Sequence, residues 1–99
     1  MLLGEALEAY TRKRPNEVLL LRVCANGSEE EVLVFRGASS YLTRATPSDP
    51  GEPIPPVESE LLSLDRQRAP YSPINPNIIA ANLDLDAVRE LLLEVGLAL

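Results

Sequence analysis

Histidine and tryptophan are absent from this 99-residue sequence, and cysteine, methionine, phenylalanine and lysine occur once each. The lack of histidine removes both the usual general base and the commonest metal ligand. A lone Cys24 excludes a disulfide framework and points to a reducing compartment. Inside an apolar stretch, and with no histidine to activate it, that cysteine reads as a small hydrophobe rather than a nucleophile. No glycine-rich phosphate loop is present: Gly27 and Gly37 stand far apart, and neither leads into a Gly-Lys-Ser/Thr sequence. No apolar run approaches the roughly 20 residues needed to cross a bilayer. The opening MLLGEALEAY carries acids early and lacks a basic start, so no secretory signal is expected.

The chemistry that is present is modest. Leucine, with 18 copies, must build the core, because the aromatic side chains are only Phe35, Tyr10, Tyr41 and Tyr71. A chain of this length is expected to form one domain that buries roughly 60–70% of its unfolded surface. The net charge of −6 argues against nucleic acid, which demands a basic surface. Eight of the nine basic residues are arginine. Arginine suits bidentate pairing with carboxylates, either within the molecule or on an acidic partner; GC-rich codon usage yields the same bias.

Carboxylates cluster at Glu29-Glu30-Glu31, Glu58/Glu60 and Asp84/Asp86. Glu58 and Glu60 fall on one side of a strand, where they read as a solvated face or, with a divalent ion, as ligands. The glutamate triplet reads as a charged hairpin end that discourages edge-to-edge aggregation. The inventory argues against catalysis and against a cofactor or metal.

Hydropathy patterning predicts an α+β fold: a short N-terminal helix, a three-stranded antiparallel sheet with a tight hairpin, a long Pro-rich loop and a C-terminal helix. Leu3, Ala6, Leu7 and Tyr10 recur at helical spacing within residues 2–13, and Pro15 ends that helix. Its last residues, Arg12-Lys13-Arg14, read either as partners of the helix dipole or as a small basic patch. Two apolar runs, EVLLLRVCA and EEEVLVFRG, flank Asn26-Gly27, which favours a two-residue type I′ turn. That turn sets Ala25 opposite Ser28 and Val18 opposite Phe35, and makes Arg22 and Glu31 a cross-strand pair. One face of the hairpin then carries Val18, Leu20, Leu33 and Phe35; the other carries Leu19, Leu21, Val23, Val32 and Val34. Both faces being apolar, either one helix covers each, or one face is a docking surface.

Residues 37–56 read as a long connection in which five prolines exclude a helix or central strand. VESELLSLDR (57–66) reads as the third strand, and APYSPINPN (69–77) as a second Pro-rich turn. Asp84 is the expected N-cap of the last helix, whose apolar stripe is Val88, Leu91, Leu92, Val95 and Leu99.

The stretch Val32–Thr46, VLVFRGASSYLTRAT, packs small polar residues and arginine into a loop leaving a strand, where residues that meet something else are commonly placed. The expected partner-binding set is Phe35, Arg36, Ser39, Ser40, Leu42, Thr43, Arg44, Arg66, Arg68 and Tyr71. If Arg36, Arg44, Arg66 and Arg68 converge, they form a basic rim on an acidic protein.

VLVFRGASSYLTRATPSDP, followed by DRQRAPYSP, resembles the V-subunit family of the photosynthetic NAD(P)H dehydrogenase-like complex of cyanobacteria and chloroplasts. The resemblance is best over residues 32–73. It rests on Phe35, Arg36, Gly37, Ser39, Ser40, Leu42, Thr43, Thr46, Asp49, Pro50, Asp65, Arg66, Pro70 and Tyr71, and departs at Ala38 and Tyr41. It implies a cofactor-free, non-catalytic peripheral subunit of a ferredoxin–plastoquinone oxidoreductase serving cyclic electron transport. Such a subunit would sit on the cytoplasmic side of the thylakoid membrane without inserting. Its neighbours would include the small ferredoxin-docking subunit, with ferredoxin itself met indirectly. The alternative is a free-standing regulatory or protein-interaction domain, including a homodimer joined through one apolar sheet face.

Overall fold

A computed structural model describes residues 1–45 and 51–99. The element order is α1 (Leu3–Lys13), β1 (Glu17–Ala25), β2 (Ser28–Phe35), β3 (Ala38–Tyr41), β4 (Glu60–Arg68), β5 (Ile78–Leu83) and α2 (Leu85–Leu93). The fold is α+β, with the strands in one antiparallel sheet of order β3-β2-β1-β4-β5. The sheet has five strands, which corrects the expectation of three.

The hairpin has the register that its two-residue turn imposes. Asn26 and Gly27 adopt φ of 53° and 76°, and Ala25 pairs with Ser28, Leu20 with Leu33 and Val18 with Phe35. Arg22, however, bonds Glu29 diagonally, with its Nε 3.0 Å from Oε1, rather than the directly opposed Glu31. Strand twist brings one diagonal neighbour within reach of a long side chain.

The first unexpected strand follows from a second tight turn. Arg36 and Gly37, at φ of 49° and 83°, join β2 to β3 in a two-residue loop, pairing Phe35 with Ala38 and Val32 with Tyr41. Arginine rarely takes a left-handed backbone, so FRG does not announce a hairpin as Asn-Gly does. The second, β5, lies in IIAANL and pairs irregularly with β4; Asn82, at φ 57°, breaks its register and donates its N–H to Asp65 Oδ1 at 2.8 Å. The strand expected at 57–66 begins at Glu60 and continues to Arg68. Thr46, Asp49 and Pro50 lie outside the described residues.

Because β1 is central, hairpin side chains on both faces are apolar, yet the two helices share one face. Ala6, Leu7 and Tyr10 of α1 and Val88, Leu91 and Leu92 of α2 join Leu19, Leu21, Val23, Val32, Val34 and Leu64 in a single buried cluster. Asp84 Oδ1 caps α2 by accepting from Ala87 N–H at 2.9 Å. Gly96 (φ 78°) turns the chain back, and Leu97 N–H reaches Leu92 O at 2.9 Å, so Leu97 is buried. Leu99, expected on the helical stripe, lies beyond that turn and is 39% exposed.

Candidate functional site

The opposite face of the sheet has no helix over it. Leu20, Leu33 and Phe35 are half-buried there, and Ile78, opposite Gln67, is 45% exposed. At one end, the segment leaving β4 folds across the strands and makes a groove of about 330 Å³, lined by Asn16, Val18, Leu33, Phe35, Arg36, Ala69, Pro70 and Tyr71. Ala69 N–H is anchored on Asn16 O at 2.8 Å, and Arg68 N–H on Asn77 O at 2.8 Å. Next to Val18 in register stands Gln67, buried, with no hydrogen-bond partner for its Oε1 among the described residues.

Arg36 forms one wall. Its guanidinium lies 4.9 Å from the centre of the Phe35 ring, and its Nε donates to Pro15 O at 3.3 Å. The turn that presents it is pinned to α1: Gly37 N–H donates to Thr11 Oγ1 at 2.9 Å, and Ser39 Oγ donates to Glu8 Oε2 at 2.7 Å. A Cβ on Gly37 would stand 2.7 Å from Arg12 Nη1, so only glycine lets that arginine lie over the turn undisturbed.

Arg66, expected on the rim, is a brace on the helix-covered side. Its Nε and Nη2 bond the two oxygens of Glu17 at 2.9 and 3.0 Å, while Tyr10 Oη donates to the same carboxylate at 2.7 Å. Arg14 donates to Tyr10 Oη at 3.0 Å and to Glu94 at 3.0 Å, tying α1 to the segment after α2. Burial pushes the Glu17 carboxyl up, but hydrogen bonds from Arg66 and Tyr10 and the charges of Arg66 and Arg14 outweigh it and hold it below the ordinary value. Burial, aided by the hydrogen bond to Glu17, pushes the Tyr10 phenol up to about 12.

A family model described as a domain of unknown function, DUF7734, matches residues 4–92, a span that runs from α1 to the last turn of α2. The chain belongs to the DUF7734 family. Comparison with curated proteins gives no match, nor does comparison with solved structures.

Within this DUF7734 domain the ten expected partner residues separate. Phe35, Arg36 and Tyr71 meet in the groove. Ser40 stands opposite Leu33 on the same open face, whereas Ser39 faces α1. Arg68, opposite Glu17, is exposed at the groove's end of the sheet. Leu42, Thr43 and Arg44 lie at the other end. There Thr43 Oγ1 bonds Glu30 and the Glu31 N–H, and Arg44 stacks 4.2 Å over the Tyr41 ring. The four arginines expected to converge therefore do not: Arg36 and Arg68 share an end, Arg66 is engaged internally, and Arg44 is remote.

Val18 and Leu33 belong to the apolar face that the turn register had already grouped with Phe35, so their place in the groove was legible. Asn16, Ala69 and Pro70 carried no such signal, because their position depends on β4 pairing with β1. A larger cleft of about 600 Å³ separates the first turn of α1 from residues 51–57. Its charged lining is Glu5, Glu8 and Glu52, with no opposing cation. Among the described residues, no three acidic or thiol side chains gather to hold a metal, and no helix is long and apolar enough to cross a membrane.

Proposed function

We propose that this chain is a non-catalytic protein-interaction domain that meets a partner through the open face of its sheet. One observation carries the reading: a five-stranded sheet in a 99-residue chain has both helices on one side, leaving Leu20, Leu33 and Phe35 half-buried and Ile78 exposed on the other. Apolar side chains left partly open to solvent on a sheet face without a helix over it are a feature of interaction sites. The groove supplies no general base, nucleophile or phosphate cradle, which favours binding over chemistry.

The resemblance over residues 32–73 extends this to a finer proposal. The domain is a peripheral accessory subunit of the photosynthetic NAD(P)H dehydrogenase-like complex on the cytoplasmic side of the thylakoid membrane. It stabilises the hydrophilic arm beside the ferredoxin-docking subunit. Affinity purification of the tagged chain from a photosynthetic host in mild detergent, followed by mass spectrometry, tests both levels. Co-purifying hydrophilic-arm subunits support the finer proposal. A different, reproducible partner leaves only the interaction domain, and a chain that purifies alone as a monomer removes both.

A further inference from the structure

We propose that the groove on the open face takes an acidic polypeptide segment, with a bulky apolar side chain of that segment seated against Val18, Leu33 and Phe35. This rests on the interaction reading above and names the chemistry of the partner. Charge is unevenly placed along the strands. In the antiparallel sheet, β1 and β5 begin, and β2 and β4 end, at the groove. The same end receives the C-terminus of α1. Arg12, Lys13, Arg14, Arg36, Arg66 and Arg68 are thereby gathered there, six of the nine basic residues of a chain whose net charge is −6. The opposite end carries acids, among them Glu29, Glu30 and Glu31 of the hairpin, Glu60 at the start of β4 and Asp84 after β5.

Two of the six cations are neutralised internally, Arg66 by Glu17 and Arg14 by Glu94. Arg12, Lys13, Arg36 and Arg68 make no ion pair among the described residues. Of these, Arg36 lines the apolar groove itself, and Arg12, Lys13 and Arg68 stand at the same end of the sheet. Three of those four cations are arginines, whose planar fork pairs with carboxylates and phosphates alike; the concave apolar floor of Val18, Leu33 and Phe35, sized for a single side chain, favours an acidic polypeptide over a lipid surface. Arg36 is also held at φ 49°, a conformation uncommon for a branched-free cationic side chain and one that fixes its guanidinium over the Phe35 ring at the groove wall.

The test uses a short fluorescein-labelled peptide with a central Leu-Phe pair flanked by aspartate and glutamate, titrated with the full chain and followed by anisotropy. Saturable binding is expected. It should weaken about tenfold in R36N, and fall with rising salt as expected for a charge-dependent contact. Asparagine tolerates the left-handed backbone, so R36N keeps the turn, and Leu33→Thr probes the apolar floor independently. Arg89→Gln, on the exposed side of α2, should bind as the parent does. Equal affinity in R36N, Leu33→Thr and the parent overturns the proposal. So does binding to phosphatidylserine vesicles in place of the peptide, or a dimer in sedimentation whose formation blocks the peptide. Partners that co-purify equally with parent and R36N overturn the groove assignment alone and leave the interaction reading standing; a chain that captures neither peptide nor partner overturns both.

Discussion

Arg66 illustrates how one residue's role depends on its neighbour in space. By composition it is another surface cation; beside β1 it becomes a bidentate partner of Glu17 beneath Tyr10. Removing it takes two donors from a partly buried carboxylate and leaves Glu17 with the Tyr10 hydroxyl. Arg66→Ala should therefore cost about 2–3 kcal/mol in denaturant unfolding. Arg36→Asn, by contrast, should stay within about 0.5 kcal/mol of the parent, as exposed substitutions usually do. The pH dependence follows from the same cluster. Glu17 has a lowered folded pKa, so its contribution is complete above the ordinary glutamate value of about 4.3 and is lost as pH falls through the lower folded value. Glu17→Gln should flatten that acid limb in thermal melts. Tyr10 has a raised pKa of about 12, so stability should decline as pH rises from the ordinary tyrosine value of about 10 toward that of the folded protein. Tyr10→Phe should remove that alkaline decline.

At the scale of elements, what was legible depended on whether a local rule and the tertiary contacts agreed. The β1–β2 register followed from Asn26-Gly27 alone, since a two-residue turn leaves no freedom in pairing. The N-cap of α2 was equally plain, and Asp84→Ala should cost about 1 kcal/mol, read as a lower melting temperature. Two strands were hidden. The β2–β3 turn puts arginine where asparagine is expected, and its stability comes from Thr11 and Glu8 of a distant helix. Gly37→Ala tests that account: at φ 83°, with Arg12 in the way, it should cost about 1–2 kcal/mol in chemical denaturation. β5 lies between a proline cluster and α2, and its pairing is broken by Asn82, so neither alternation nor β-propensity marks it. The residues behind the family resemblance are also explained in part by architecture. Gly37 makes a turn, Asp65 holds the β5 irregularity, and Arg66 braces the core, whereas Phe35, Arg36, Pro70 and Tyr71 are the members that line the groove.

For the whole molecule, the decisive feature was invisible in any single segment: which side of the sheet each helix takes. The apolarity of both hairpin faces was readable, and two arrangements satisfied it. In the fold α1 and α2 share one face, where Arg14 bridges to Glu94, and the second face carries no helix. The separation of charge along the strands has a consequence of its own. A body that is negative in sum yet positive at one end carries a permanent dipole, so its isoelectric point of about 4.5 does not describe how it approaches a surface. In a field it turns before it touches, presenting the groove to anions and the glutamate hairpin to cations. At neutral pH, immobilised chains would thus stand in opposite senses on an anionic and a cationic support, groove down on the first and groove outward on the second.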